Sequence, residues 1–115
     1  IIGIAKNNSG GVPDNFANYF VLEFNRTFNL SGVWDGKGNI SSKQNLKGKH
    51  VGAYVTFNTN ENQIVEVKVS SSFIDHDQAW INLNRELPDS STFNEIVKEG
   101  RKSWNKELSK IKKRK

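Results

Sequence analysis

The chain has 115 residues, 35% of them apolar and 25% charged, with a mean hydropathy of −0.66. That is one domain's worth of water-soluble sequence and too little for two well-built domains. With no Cys, a disulfide framework, a thiolate zinc site and a cysteine nucleophile are all excluded. Five of the 17 Lys and Arg lie in the last six residues, Lys110 to Lys115, and the remaining 12 balance the 12 Asp and Glu. The net +5 therefore reads as a solvated helix end favoured by the negative pole of the helix dipole, not as a nucleic-acid face with interleaved aromatics.

Ile1 to Lys6 is a short apolar run closed by the turn-rich Asn7-Asn8-Ser9-Gly10-Gly11 and then Pro13-Asp14-Asn15. Asn18 to Phe24 is rich in aromatic and β-branched residues and reads as a strand. Its Phe20, Leu22 and Phe24 side looks the better core face, opposite Tyr19, Val21 and Glu23. Phe28 to Trp34 is a second strand, with Phe28, Leu30 and Trp34 in register and Gly32 marking a bulge or a close-packing point. Asp35-Gly36-Lys37-Gly38-Asn39 is a turn. The polar stretch from Ile40 to Lys49 reads as a loop with room for one edge strand. His50 to Phe57 alternates, with Val51, Ala53, Val55 and Phe57 opposite His50, Gly52, Tyr54 and Thr56. After the turn Asn58 to Asn62, Ile64 to Phe73 alternates again, with Val65, Val67 and Val69 opposite Glu66, Lys68 and Ser70.

The period changes at Ile74. Asp75 with Gln78 resembles a capping box, and Ala79, Trp80, Leu83 and Leu87 follow at helical spacing until Pro88. Thr92 with Glu95 repeats the capping signature. Phe93, Ile96, Val97, Gly100, Trp104, Leu108 and Ile111 then form an apolar stripe. The expected fold is mainly β with C-terminal helices: an antiparallel β-sandwich portion of about five strands followed by two α-helices. The division falls at residues 1–74 for the sandwich portion and 75–115 for the helical segment.

No self-contained active site emerges from the residue chemistry. His50 and His76 are the only histidines and stand in no metal-binding spacing. Asp75-His76-Asp77 sits at a helix start, where N-capping and dipole complementarity account for the acids. Gly10-Gly11 and Gly36-Lys37-Gly38 lack the phosphate-loop continuation, and Ser70-Ser71-Ser72 lacks a nucleophile-elbow context. Asp14, Glu23, Asp35, Glu61 and Glu66 form no evident acid/base pair. Trp34 beside the Asp35-Gly36 turn has two readings, a packed indole or an exposed one that stacks on a sugar ring. Asn7, Asn25, Asn29 and Asn39 head glycosylation sequons that matter only in a eukaryotic secretory route. No run of roughly 20 apolar residues is present, so no membrane span is expected. With no Met and an Ile1-Ile2-Gly3-Ile4 opening, the chain is expected to be a processed product or a piece of a longer protein.

Several segments, in order, resemble glycoside hydrolase family 92. They are Tyr19 to Asn25, Gly48 to Phe57, Val65 to Val69, Ser70 to Ile74, Ala79 to Pro88 and Trp104 to Ile111, so the resemblance runs over residues 17–111. The family holds calcium-dependent exo-α-mannosidases, mostly bacterial α-1,2-mannosidases, in which an N-terminal β-sandwich precedes a helical (α/α)-barrel. The resemblance implies the later sandwich strands and the helices leading to a barrel that this chain lacks, along with the family's opening strands. It implies an inverting mechanism in the full-length protein, with one carboxyl as acid and another as base. The barrel is where it puts the calcium ligands and most catalytic carboxylates, so no catalytic or metal-binding residue is assigned here and the substrate-binding residues stay unknown. The chain itself is expected to carry no cofactor and no activity, with calcium in the full-length protein. The implied partners are the missing strands and barrel and, through them, α-mannoside glycans; nucleic acid is not among them. The implied location is periplasmic, cell-surface or secreted in a bacterium. The alternative reading is an independent carbohydrate-binding β-sandwich module.

Overall fold

The structure, a computed structural model, describes residues 1–61 and 63–111. Expectations for Asn62 and for the basic run Lys112 to Lys115 lie outside them. Six strands precede two helices: β1 (Ile2–Ala5), β2 (Asn18–Phe24), β3 (Leu30–Asp35), β4 (Ile40–Ser41), β5 (Val51–Thr56), β6 (Val67–Ser72), α1 (His76–Glu86) and α2 (Phe93–Leu108). They form two antiparallel three-stranded sheets, ordered β1-β2-β6 and β4-β3-β5. The expected class is thus observed, with the two-residue β4 supplying the edge strand in the polar stretch.

The chain starts in the first sheet, crosses to the second between β2 and β3, and returns between β5 and β6. Both crossings are tied by hydrogen bonds. Asn25 N donates to Glu66 O at 3.1 Å while Glu66 N donates to Asn25 Oδ1 at 3.0 Å. Asn29 N donates to Thr56 O at 2.6 Å, and Arg26 Nη1 donates to Gln63 Oε1 at 2.9 Å. The Phe24 and Phe57 rings meet beside these crossings, 5.3 Å between centroids.

The core sits on the side of β2 opposite to the expected one. Val21, fully buried, packs with Ala79 and Leu83 of α1, and Trp80 closes the cluster. The cause is the neighbouring strand. Val21 pairs with Ser70 and Tyr19 with Ser72, so this face carries small side chains on which a helix can settle closely. Larger side chains on Phe20, Leu22 and Phe24 leave that opposite face only half covered. The alternation of β6 is resolved in the same way. Val67 and Val69 are exposed, while Lys68, Ser70 and Ser72 lie on the covered side.

Both helices start where the capping residues predict. Asp75 Oδ1 accepts from Gln78 N at 2.7 Å, although the Gln78 side chain reaches Asn82 instead of closing the box. Thr92 and Glu95 form the complete capping box. Pro88 follows the end of α1 closely.

The protein exposes 10125 Å² and has a radius of gyration of 18.7 Å. A compact monomer of 13.0 kDa would expose about 6,300 Å² with a radius near 13 Å. Many large apolar side chains are exposed, among them Ile2, Ile40, Ile64 and Phe73. The apolar stripe expected from the sequence is present, but α2 buries none of its residues, and Trp104 is 70% exposed.

Candidate functional site

The acidic side chains are already employed or dispersed. Asp35 Oδ1 accepts from Lys37 N at 2.9 Å and Asn39 N at 3.0 Å, and Oδ2 accepts from Asn39 Nδ2 at 2.9 Å. The Asn39 side-chain bond, then its backbone N–H, hold the Asp35 carboxyl below the usual carboxylate range. Asp75 caps α1 and Glu95 caps α2. Glu23 and Asp89 both approach Lys68 Nζ, at 3.8 and 2.9 Å, and Glu107 pairs with Lys110. Among the described residues no three His, Cys, Asp or Glu side chains converge. The calcium implied by the resemblance therefore finds no fitting acidic donor set among the described residues, and no step is assigned to it here.

The histidines have structural places. His76 Nε2 lies 3.0 Å from Gly3 O, its ring meets Tyr19 edge-on at 5.2 Å, and it thereby joins α1 to β1. His50 is exposed at the mouth of β5, with its Cβ against Gly36. The three serines of β6 also find an explanation. Ser70 and Ser72 make room for α1, Ser72 Oγ accepts from Ile74 N at 3.0 Å to turn the chain into that helix, and Ser71 O accepts from Asn82 Nδ2 at 3.1 Å.

Two surface features remain. One is an open hollow of about 470 Å³ beside the end of β2, lined by residues that include Leu22, Glu23, Phe24, Arg26, Phe28 and Trp80. The other is one face of β3 and β5. Register pairs Trp34 with Gly52 and Tyr54 with Gly32, so two aromatics and two glycines alternate on that face. A Cβ added at Gly52 would fall 2.2 Å from Trp34 Cε2 and Cζ2. One added at Gly32 would fall 2.5 Å from the Ser41 backbone carbonyl and 2.6 Å from the Tyr54 hydroxyl. Each ring thus lies across the opposite strand, over backbone that only glycine leaves bare. Gly32 is the close-packing point expected of it, in regular register without a bulge. Trp34, singled out in the sequence, stays 42% exposed. Tyr54 and Gly52 were missed as its companions because their relation to Trp34 depends on register between strands; the two Gly-x-aromatic steps, Gly32-Val33-Trp34 and Gly52-Ala53-Tyr54, were the available signal.

The comparisons with known proteins agree with one another. The model of the glycosyl hydrolase family 92 N-terminal domain matches residues 1–72. The structure of a family GH92 inverting mannosidase from Bacteroides thetaiotaomicron superposes with a TM-score of 0.91 at 32% identity. That match covers 98% of this chain and 15% of the mannosidase, so this chain spans less than a sixth of its length. It includes both helices, which lie beyond the residues of the family model. No curated protein matches. With the family model spanning 72 of the 115 residues and the fold reproduced almost throughout, this chain belongs to glycosyl hydrolase family 92.

Proposed function

We propose that this chain is a non-catalytic, structural portion of an α-mannosidase that removes terminal α-mannose from glycans, with α-1,2 linkages as the expected substrates. Family membership supports the enzyme class. The observation that carries the structural role is the surface: about 3,800 Å² more than a compact monomer of this mass exposes. An excess of that size suits a permanent interface between parts of one protein rather than a transient encounter. The half-covered Phe20, Leu22 and Phe24 face seats further sandwich strands, and the α2 stripe braces a helical catalytic body that holds the calcium and the carboxylates. Inversion follows from one carboxyl protonating the leaving oxygen while a second activates water, both supplied from outside this chain.

The test is hydrolysis of α-1,2-mannobiose by the full-length protein, with and without a calcium chelator. Activity that the chelator removes and added calcium restores is the expected result. Inactivity on every α-mannoside tried, regardless of calcium, would overturn the reading.

A further inference from the structure

We propose that residues 87–92 form a pinned elbow that aims α2 before anything packs on it, with Lys68 of β6 as the pin and Asp89 as the latch. No residue of α2 is buried, so packing does not set the direction of this helix. The six residues between Glu86 and Phe93 must set it instead. Their backbone is engaged along its length. Leu87 N donates to Leu83 O at 2.8 Å and ends α1, Ser91 N donates to Pro88 O at 2.9 Å across a turn, and Thr92 caps α2. Pro88 fixes its own φ and restricts Leu87 before it.

The pin comes from the sheet. α1 packs back along β6, so the elbow returns to the start of that strand, where Lys68 lies. Lys68 stands opposite Glu23 in register, and its Nζ is 3.8 Å from the Glu23 carboxylate and 2.9 Å from Asp89 Oδ1. The Lys68 side chain is 23% exposed and that of Asp89 95%, so the cation is lodged on the sheet while the carboxylate is open to water. Such a pair is weak and screened by salt. It therefore biases a short, hydrogen-bonded joint toward one direction without locking it. The superposition on the mannosidase extends over α2, so the same direction recurs there. A helix aimed in advance loses less freedom when it docks. That use of the elbow rests on the structural role proposed above, whereas the elbow itself does not.

The chain has no Cys, so N84C and K106C place one spin label on each helix at exposed positions. Double electron–electron resonance on the full 115-residue chain then reads the distance distribution between α1 and α2. A predominantly narrow distribution is expected at low salt. D89N, which keeps the size of the side chain, should lower the ratio of narrow to broad signal by about two- to fivefold. Raising NaCl to about 1 M should do the same to the chain with Asp89 intact, and D89E should restore most of the narrow component. Asp89 lies outside both caps, so circular dichroism should show unchanged helicity in each variant, which separates a lost aim from a melted helix. A broad distribution with Asp89 intact at low salt, a distribution that neither D89N nor salt alters, or a loss of helicity that accompanies the broadening would each overturn the proposal. The measurement involves no hydrolysis, so a full-length protein lacking mannosidase activity leaves its outcome unaffected.

Discussion

Gly52→Ala is the substitution that most sharply separates a packed indole from an incidental one. The added Cβ would sit 2.2 Å from two indole carbons and 2.4 Å from Nε1. Ordinary van der Waals contact begins near 3.4 Å, so the ring must lift by more than an ångström or the strands must part. Overpacking of this kind costs about 1–3 kcal/mol, and for a chain of this length that lowers the melting temperature by about 4–12 °C. Trp34→Ala alone loses the area the indole covers, yet it makes room for the new methyl. The penalty at position 52 should therefore vanish in the W34A background. Four urea titrations, of the parent chain, both single variants and the double variant, give the coupling energy directly. A G52A penalty that persists undiminished without Trp34 would refute the ring-over-glycine geometry.

Other consequences can be measured on the same chain. Leu83, 1% exposed, is one of only five apolar side chains in the core among the described residues. Leu83→Ala should cost about 2–5 kcal/mol, enough to undock α1 from β2 and β6, and near-UV circular dichroism would register the loss of packing. Thr92→Ala should cost α2 about 1 kcal/mol; because this helix buries none of its residues, the loss should appear as reduced helicity with little change in the unfolding of the sheets. The backbone N–H of Thr92, and then its hydroxyl, lower the pKa of Glu95. A lowered folded-state pKa means the contribution is present above the ordinary glutamate range and is lost as pH falls through the lowered value. Helicity of α2 should accordingly decline on acidification below that range, and Glu95→Gln should remove this component of the pH dependence; an identical acid profile in the variant would contradict it.

The elements legible in the sequence were those whose signals are local. The β2 run, the alternating β5 run, both helix caps and the stop at Pro88 depend on neighbours within a few residues, and each is found where the pattern put it. Which face of β2 meets α1 was not legible. Side-chain size on β2 favoured Phe20, Leu22 and Phe24, whereas the outcome is set by Ser70 and Ser72 on a strand nearly 50 residues away. The alternation of β6 was legible but not its buried side: Val67 and Val69 are exposed, while Ser72 is buried. The packing of Trp34 across β5 was half legible. Trp34 stood out by its chemistry, while Gly52 and Tyr54 acquire their meaning only from the pairing of β3 with β5.

The role proposed for this chain is to contribute structure, not chemistry, to a mannosidase. Its most direct test is complementation in trans: the 115-residue chain, the remaining polypeptide of the full-length protein, and their mixture, each assayed on α-1,2-mannobiose. The account predicts no hydrolysis by either part alone and recovered hydrolysis in the mixture, abolished when Trp104→Asp places a charge on the exposed stripe of α2. Hydrolysis by this chain alone, or full activity of the remainder without it, would contradict the account.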